Sequence, residues 1–296
     1  MRNITMTVGI PTYYGGQGLA EAAKSILASK GIEKFRFIVT VDGNPLKDDI
    51  RQQFIDLGVE VIENEERGGQ VARIKQLIAL CDTDILVLTQ DDIRFQSDTL
   101  AKILRGFENH PETTMIGARM LPVPAKTFLE KVVERGAQLT HRIGDLWQQG
   151  DNYLLASGRC LAFRSFMAKK LVIPEEVINS DAYLYFENKK NDGAFLALRD
   201  AIVFNKSPQK IQEHIKQNKK FEYSQAELEK YLDGINLKSE YMIPRLIVIR
   251  ALLSEFIAHP VLTVSYIVLQ IYVKFHKNPF VNVKRFWDTD VSTKRV

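Results

Sequence analysis

Short apolar runs alternating with helical patterns of about ten residues constrain the fold of this 296-residue chain more than any other feature. Met6 to Ile10, Phe35 to Val41, Val59 to Glu63, Ile85 to Leu88 and Met115 to Ala118 read as strands. Leu19 to Ala28, Asp48 to Leu57, Val71 to Cys81 and Thr99 to Asn109 read as helices, the last opened by a Ser97/Asp98 cap signal. Helical crossovers between strands imply parallel pairing, and a parallel sheet is covered by helices on both faces. The expected class is therefore α/β, with a mostly parallel central sheet.

The fourth run ends on two carboxylates, Asp91 and Asp92, after Thr89-Gln90. Such a pair is expected where a parallel sheet opens onto solvent, the crevice in which α/β sheets bind ligands. Adjacent like charges repel, so folding alone gives no reason to place them there. A divalent cation, Mn²⁺ or Mg²⁺, carrying phosphate oxygens would relieve the repulsion, because hard cations take carboxylate ligands. The plainer alternative is a solvated Asp-Asp turn capping the next helix.

Two further strand ends should face the same crevice: Pro11-Thr12-Tyr13 after the first strand and Asp42-Gly43-Asn44 after the second. These residue types suit a nucleotide. A ring such as Tyr13 can stack on a base, and a carboxylate such as Asp42 can accept from a base N–H or a ribose hydroxyl. Arg67-Gly68-Gly69-Gln70 opens a helix, where a guanidinium and free backbone N–H groups can meet anionic oxygen. Each element alone could be an ordinary turn or cap; their shared placement is the stronger signal.

Charge argues against nucleic acid as a partner. The formal charge is only +4, and residues 274–296 carry six basic and two acidic residues, which is the whole excess. A positive tail is not a broad nucleic-acid face. Cys81 and Cys160 have no metal-ligand spacing and read as free buried thiols. The amino terminus runs into a strand pattern without a signal-type apolar core, which points to a reducing, cytoplasmic setting.

From about Pro122 the rhythm changes. Scattered aromatics, Trp147 and Tyr153 among them, lead to Ser157-Gly158-Arg159 and the apolar Cys160 to Phe163. Asn179-Ser180-Asp181 precedes a helical stretch, and Ala201 to Phe204 reads as a late strand. Residues 205–240 are charged and helical, with seven Lys against six acidic residues, and read as a solvated connection. Phe256 to Val273 then has no charged residue but contains His259 and Pro260. Three readings compete there: a buried core helix, helices lying in a membrane interface, and a true span. The basic, aromatic residues that follow (Lys274, Phe275, Lys277, Phe280, Lys284, Arg285, Phe286 and Trp287) favour a membrane surface.

On Ile10-Pro11-Thr12-Tyr13, Val41-Asp42-Gly43, the Arg67-Gly68-Gly69 to Lys75 helix, Leu88-Thr89-Gln90-Asp91-Asp92, Ser157-Gly158 and Ser180-Asp181, the chain resembles family 2 glycosyltransferases over about residues 5–210. The resemblance implies a glycosyltransferase-A fold and inverting, single-sugar (hexosyl) transfer from a nucleotide-diphosphate sugar. By position, Pro11, Thr12, Tyr13, Asp42, Arg67, Gly68, Lys75 and Asp91 would contact the donor. Asp92, helped by Asp91, would hold the metal. Asp181 falls where the family places its catalytic base, and Ser157, Gly158 and Ser180 fall on the acceptor side. The chain departs from the common Asp-x-Asp pattern, because its carboxylates are adjacent, and from the usual Glu-Asp pair, which is Ser180-Asp181 here. The Gln-x-x-Arg-Trp element of processive synthases is absent from the sequence.

The expected organisation is a catalytic domain over 1–210, with a nucleotide-binding half (1–120) and an acceptor half (121–210). An apolar and basic helical extension over 211–296 follows. A glycan or lipid-linked saccharide is the expected acceptor, at the cytoplasmic face of a membrane. Two other readings stand beside it. A nucleotidyltransferase would use a similar sheet and metal, but Gly15-Gly16-Gln17-Gly18 lacks that class's basic residue. A catalytically inactive sugar-nucleotide or membrane-binding module would tolerate the altered Thr89 and Ser180 positions.

Overall fold

The computed structural model describes residues 4–275, with the side chains of 219–223 set aside. The first four expected strands form β1 (Met6–Thr12), β2 (Arg36–Asp42), β3 (Glu60–Asn64) and β4 (Ile85–Thr89). Between them run α1 (Gln17–Leu27), α2 (Asp48–Asp56) and α3 (Gln70–Leu80). A three-residue β5 (Ile93–Phe95), α4 (Thr99–Asn109), β6 (Thr113–Pro122) and α5 (Phe128–Leu146) follow. The chain continues through β7 (Cys160–Arg164), α6 (Ser165–Ala168), α7 (Ser180–Lys190) and β8 (Ala194–Asn205). It closes with α8 (Ile211–Leu228), α9 (Leu237–Glu240), α10 (Arg245–Ala258) and α11 (Pro260–Phe275).

All eight strands belong to one sheet, in the order β3-β2-β1-β4-β7-β6-β8-β5. β1 pairs in parallel with β2 and β4, and β2 with β3, as the helical crossovers require. Beyond β4 the sheet is mixed: β7 runs antiparallel to both β4 and β6, while β6 and β8 are parallel. The strand order reverses at β1, with β2 and β3 on one side of it and β4 on the other, so a topological switch point opens at the carboxyl ends of β1 and β4.

Both faces of the sheet are sealed. One core packs Val8, Ile10, Val39 and Val87 under α1 and α4 residues such as Leu19, Ile26, Ile103 and Phe107. The other packs Ile38, Leu86 and Leu88 against α3 and α7 residues such as Leu77, Tyr185 and Phe186. Burial on both sides explains why β4 is apolar along most of its length: Ile85, Leu86, Val87 and Leu88 are all buried.

Three local readings are corrected or extended. The Ser97/Asp98 cap is only positional: Asp98 occupies the cap position of α4, but its carboxylate pairs with Lys102 at 2.9 Å and makes no side-chain cap bond. The late strand is longer than its apolar run, because β8 borrows partners from β6 on one edge and β5 on the other. The 19-residue α5 lies in the stretch after Pro122 for which the sequence names no element. It opens with a capping box, in which Glu130 N donates to Thr127 Oγ1 and Thr127 N donates to Glu130 Oε2.

The carboxyl-terminal helices lie on α5. Leu269 and Val273 of α11 and Ile215 of α8 pack on Val132 and Val133, and a Cβ at Gly136 would overlap the Tyr266 ring. Glu255 of α10, 3% exposed, meets Arg142 Nε at 2.9 Å and Arg135 Nη1 at 3.5 Å. Among the described residues no helix is long and apolar enough to cross a membrane. Lys277, Phe280, Lys284, Arg285, Phe286 and Trp287 lie outside the described residues.

Candidate active site

The carboxyl ends of β1 and β4 are tied together first. The parallel register that sets Gly9 beside Leu88 brings Thr12 alongside Asp91 three residues later. Thr12 Oγ1 donates to Asp91 Oδ2 at 2.6 Å and accepts from Gly15 N at 3.1 Å. Asp91 is buried, so the hydroxyl partly offsets the cost of desolvating its charge. Asp92, the next residue, is only partly buried.

The ends of β2 and β3 interlock with the loop before α3. Asp42, 4% exposed, accepts from Gly68 N at 2.7 Å and Gly69 N at 3.0 Å, and Arg73 Nε lies 3.0 Å from its Oδ1. Gly43 makes this closure possible. Its φ is +70°, and a Cβ there would lie 2.8 Å from Arg67 N. Arg67 is thereby set over Tyr13, with the guanidinium carbon 3.9 Å from the ring centroid. Tyr13 meets Tyr14 edge-on, and Asn44 Nδ2 donates to Tyr13 O at 3.0 Å. Pro11 and Tyr13 are partly exposed at this rim.

The third junction joins β4 to β7. The antiparallel register places Thr89 opposite Cys160, and Thr89 Oγ1 donates to Arg159 O at 2.6 Å. Ser157-Gly158-Arg159 is therefore held beside Gln90-Asp91. Gly158 in turn touches Asp181, and a Cβ at 158 would overlap the carboxylate. Asp181 stands in the first turn of α7, next to Ser180, whose hydroxyl donates to Asp181 Oδ1 at 3.2 Å. The helix cap is Asn179, whose Oδ1 accepts from Ala182 N, so Asp181 is not consumed in capping. Seven consecutive residues, Ala182 to Asn188, are buried, which gives Asp181 a rigid base.

Thr12, Tyr13, Asp42, Arg67, Gly68, Asp91, Ser157, Gly158 and Asp181 are thus linked, contact by contact, along one end of the sheet. Lys75 is engaged elsewhere: its Nζ lies 3.8 Å from Glu175, and both side chains are about half exposed. Sequence patterning assigns no structural part to three residues near this rim: Arg73, which clamps Asp42; Thr89, which holds Arg159; and His141. His141 of α5 is 7% exposed and, with Arg119, Arg199 and Ser157, lines a small cavity between β6, β8 and the 154–157 segment. Burial, with help from the Arg119 charge, lowers its pKa to about 4. Arg119 and Arg199 both pair with Asp145, at 2.6 and 3.0 Å.

A divalent cation fits the donor chemistry. Adjacent carboxylates supply hard oxygens, and Mg²⁺ ordinarily takes one or two carboxylates plus water and substrate phosphate. Among the described residues there is no group of three or more His, Cys, Asp or Glu that would hold an ion without such help.

The family described as glycosyl transferase family 2 matches residues 7–171, more than half of the chain. No curated protein matches. Among solved structures, the mannosyltransferase PcManGT from Pyrobaculum calidifontis, in complex with GDP-Man and Mn²⁺, is 15% identical. It aligns over 94% of this chain and 77% of its own, with a TM-score of 0.58. S. aureus TarS 1–349 is 14% identical over 86% of this chain and 72% of its own, with a TM-score of 0.53. The same fragment in complex with UDP is 13% identical, with a TM-score of 0.51. At these identities the structural likeness speaks for the fold alone.

Proposed function

This chain belongs to glycosyl transferase family 2, and on that premise we propose that it moves a hexosyl group from a nucleotide-diphosphate sugar to a glycan or lipid-linked saccharide, with inversion. The observation that carries the proposal is the unbroken run of contacts from Thr12 and Asp91, through Thr89 and Arg159, to Gly158 and Asp181. In this reading the rim has a donor side and a carboxylate opposite it. Residues 1–120 would bind the donor, 121–210 the acceptor, and 211–296 form an extension that keeps the enzyme at the cytoplasmic face of a membrane.

In this reading Tyr13, with its Arg67 cover, forms one wall for the nucleoside. Asp42 Oδ2 only shares the Gly69 amide, so it retains a lone pair for a base N–H or ribose hydroxyl. Asp91 and Asp92 would hold Mg²⁺ or Mn²⁺, which when bound neutralises charge on the departing diphosphate. Asp181 takes the proton from the acceptor hydroxyl as its oxygen attacks the anomeric carbon. The bond from that carbon to the diphosphate oxygen breaks, and its electron pair leaves with the nucleotide. Ser180 and Gly158 fix the Asp181 carboxylate against the rim.

Replacing Asp181 with Asn is expected to lower transfer by roughly a hundred- to ten-thousand-fold while calorimetric affinity for the nucleotide stays nearly unchanged. Wild-type turnover would remove Asp181 from the role. In Asp92→Ala, nucleotide affinity should lose its gain on adding Mn²⁺; a preserved gain would count against the metal site.

A further inference from the structure

Twelve large apolar residues between Leu246 and Phe275 are at least 40% exposed, and they lie on two helices that pack on α5 by their other faces. On α10, Leu246, Ile249, Leu253 and Ile257 recur at helical spacing on the outward side; on α11, Val261, Val264, Val268 and Ile271 do the same. Polar groups share the inward side with Ala251, Leu269 and Val273. Glu255 and Thr263 are buried, Ser254 Oγ accepts from Arg142, and Gln270 Nε2 lies 3.3 Å from His214 Nε2. A helix on a water-facing surface turns polar residues outward, and a contiguous exposed apolar patch of this kind marks an interaction site.

Charge identifies the occupant. Glu255 is the sole acidic residue from Tyr241 to Phe275, and it is turned inward onto Arg135 and Arg142. The outward groups that bear charge are Arg245, Arg250 and Lys274, all cationic and exposed. The sequence then continues through Lys277, Lys284 and Arg285, interleaved with Phe280, Phe286 and Trp287. A second copy of this face would oppose cation to cation with no acid to pair them, so self-association through it lacks electrostatic complementarity. At about 1.5 Å per residue, the 14 and 16 residues of α10 and α11 fall short of a bilayer core of about 30 Å, and the chain bends between them at His259-Pro260. We propose that the α10–α11 hairpin is a membrane-docking surface: its outward apolar face enters one leaflet of an anionic bilayer, and its cations lie among the headgroups. The inference rests on this face alone and not on the transfer reading.

The test is flotation of the full chain with vesicles of phosphatidylcholine alone or of phosphatidylcholine mixed with phosphatidylglycerol. The chain should float with the mixed vesicles, and Leu246→Gln/Leu253→Gln/Val264→Gln/Val268→Gln should lower partitioning by roughly tenfold or more, since buried apolar area sets such binding. A wild-type chain that stays with neither vesicle overturns the proposal. So does a wild-type dimer, monomeric in the variant, that leaves both vesicles unbound. An independent readout covers a variant that misfolds. Ile257→Cys labelled with an environment-sensitive fluorophore should shift to the blue with mixed vesicles, while labelled Leu57→Cys should not. The native Cys81 and Cys160 are buried and escape the label. No shift at 257, or equal shifts at both positions, overturns the assignment.

Discussion

Helix α7 and the α10–α11 hairpin are both rich in large apolar side chains, yet they bury them in opposite senses. Around α7, Tyr183, Leu184, Tyr185 and Phe186 are all enclosed, and the residue left toward the rim is Asp181. Tyr185 Oη donates to Asp151 at 2.9 Å and Tyr183 Oη to Val172 O at 2.7 Å, so even its polar tips are occupied. The hairpin buries only Ala251, Glu255, Thr263, Leu269 and Val273 and turns most of its aliphatic surface outward. An enclosed helix can hold one carboxylate to a fraction of an ångström, which transfer chemistry demands. A helix with an uncovered apolar face is organised to gain a partner. Helix α5 meets the hairpin through Glu255 and lines the cavity beside Ser157 through His141.

The largest effect expected on that contrast is acid sensitivity at α5. His141 titrates near 4 in the folded protein against an ordinary 6.5, so below about pH 6.5 the unfolded chain takes up its proton first. Stability contributed by the neutral ring is therefore complete above pH 6.5, falls as pH drops, and is gone below about 4. Each tenfold drop in proton affinity corresponds to about 1.4 kcal/mol, so the loss is on the order of 3 kcal/mol. Urea unfolding at pH 7 and pH 4.5 should show it, and His141→Asn should shrink the difference; an unchanged difference would assign the acid sensitivity to other groups.

Next comes the clearance behind Asp181. Gly158→Ala forces the carboxylate away from the rim, and a displacement of about 1 Å costs roughly a hundredfold in rate. Thermal unfolding should change far less than kcat; a variant with full activity would separate Gly158 from the positioning of Asp181. The smallest effect belongs to the hairpin. Leu253 is 56% exposed, so Leu253→Ser in aqueous buffer should alter stability by no more than about 0.5 kcal/mol, as ordinary surface changes do. A loss of several kcal/mol would mean that the face is already covered within the protein.

The parallel half of the fold was legible because each strand and helix there carries its own periodicity. Val8, Ile10, Val39 and Val87 sit in short uniform runs, and α1, α3 and α4 each bury one recurring face. The mixed half hid for physical reasons. β5 is three residues long, too short to show a period. α5 buries Glu130, Gly136, His141 and Gly144 alongside Val132 and Val133, so its inward face does not read as an apolar run, although the Thr127 and Glu130 capping pair was there to be read. At the site, Asp42 and Asp91 announced themselves as carboxylates at strand ends, while Asp181 was singled out only by its position in the family resemblance. Arg73, Thr89 and His141 did not. Thr89 acts on Arg159, 70 residues away, and His141 differs from a surface histidine only in what folds over it.

Glu255 has one more consequence. A docked hairpin could drift or tilt away from the body only by pulling this carboxylate off Arg135 and Arg142 and toward hydrocarbon, where an unpaired charge costs several kcal/mol. The ion pair would thus act as a rotational lock. A protein seated through α10 and α11 would present its sugar-transfer cleft at one fixed height and angle above the lipid, and an acceptor would have to arrive from that direction.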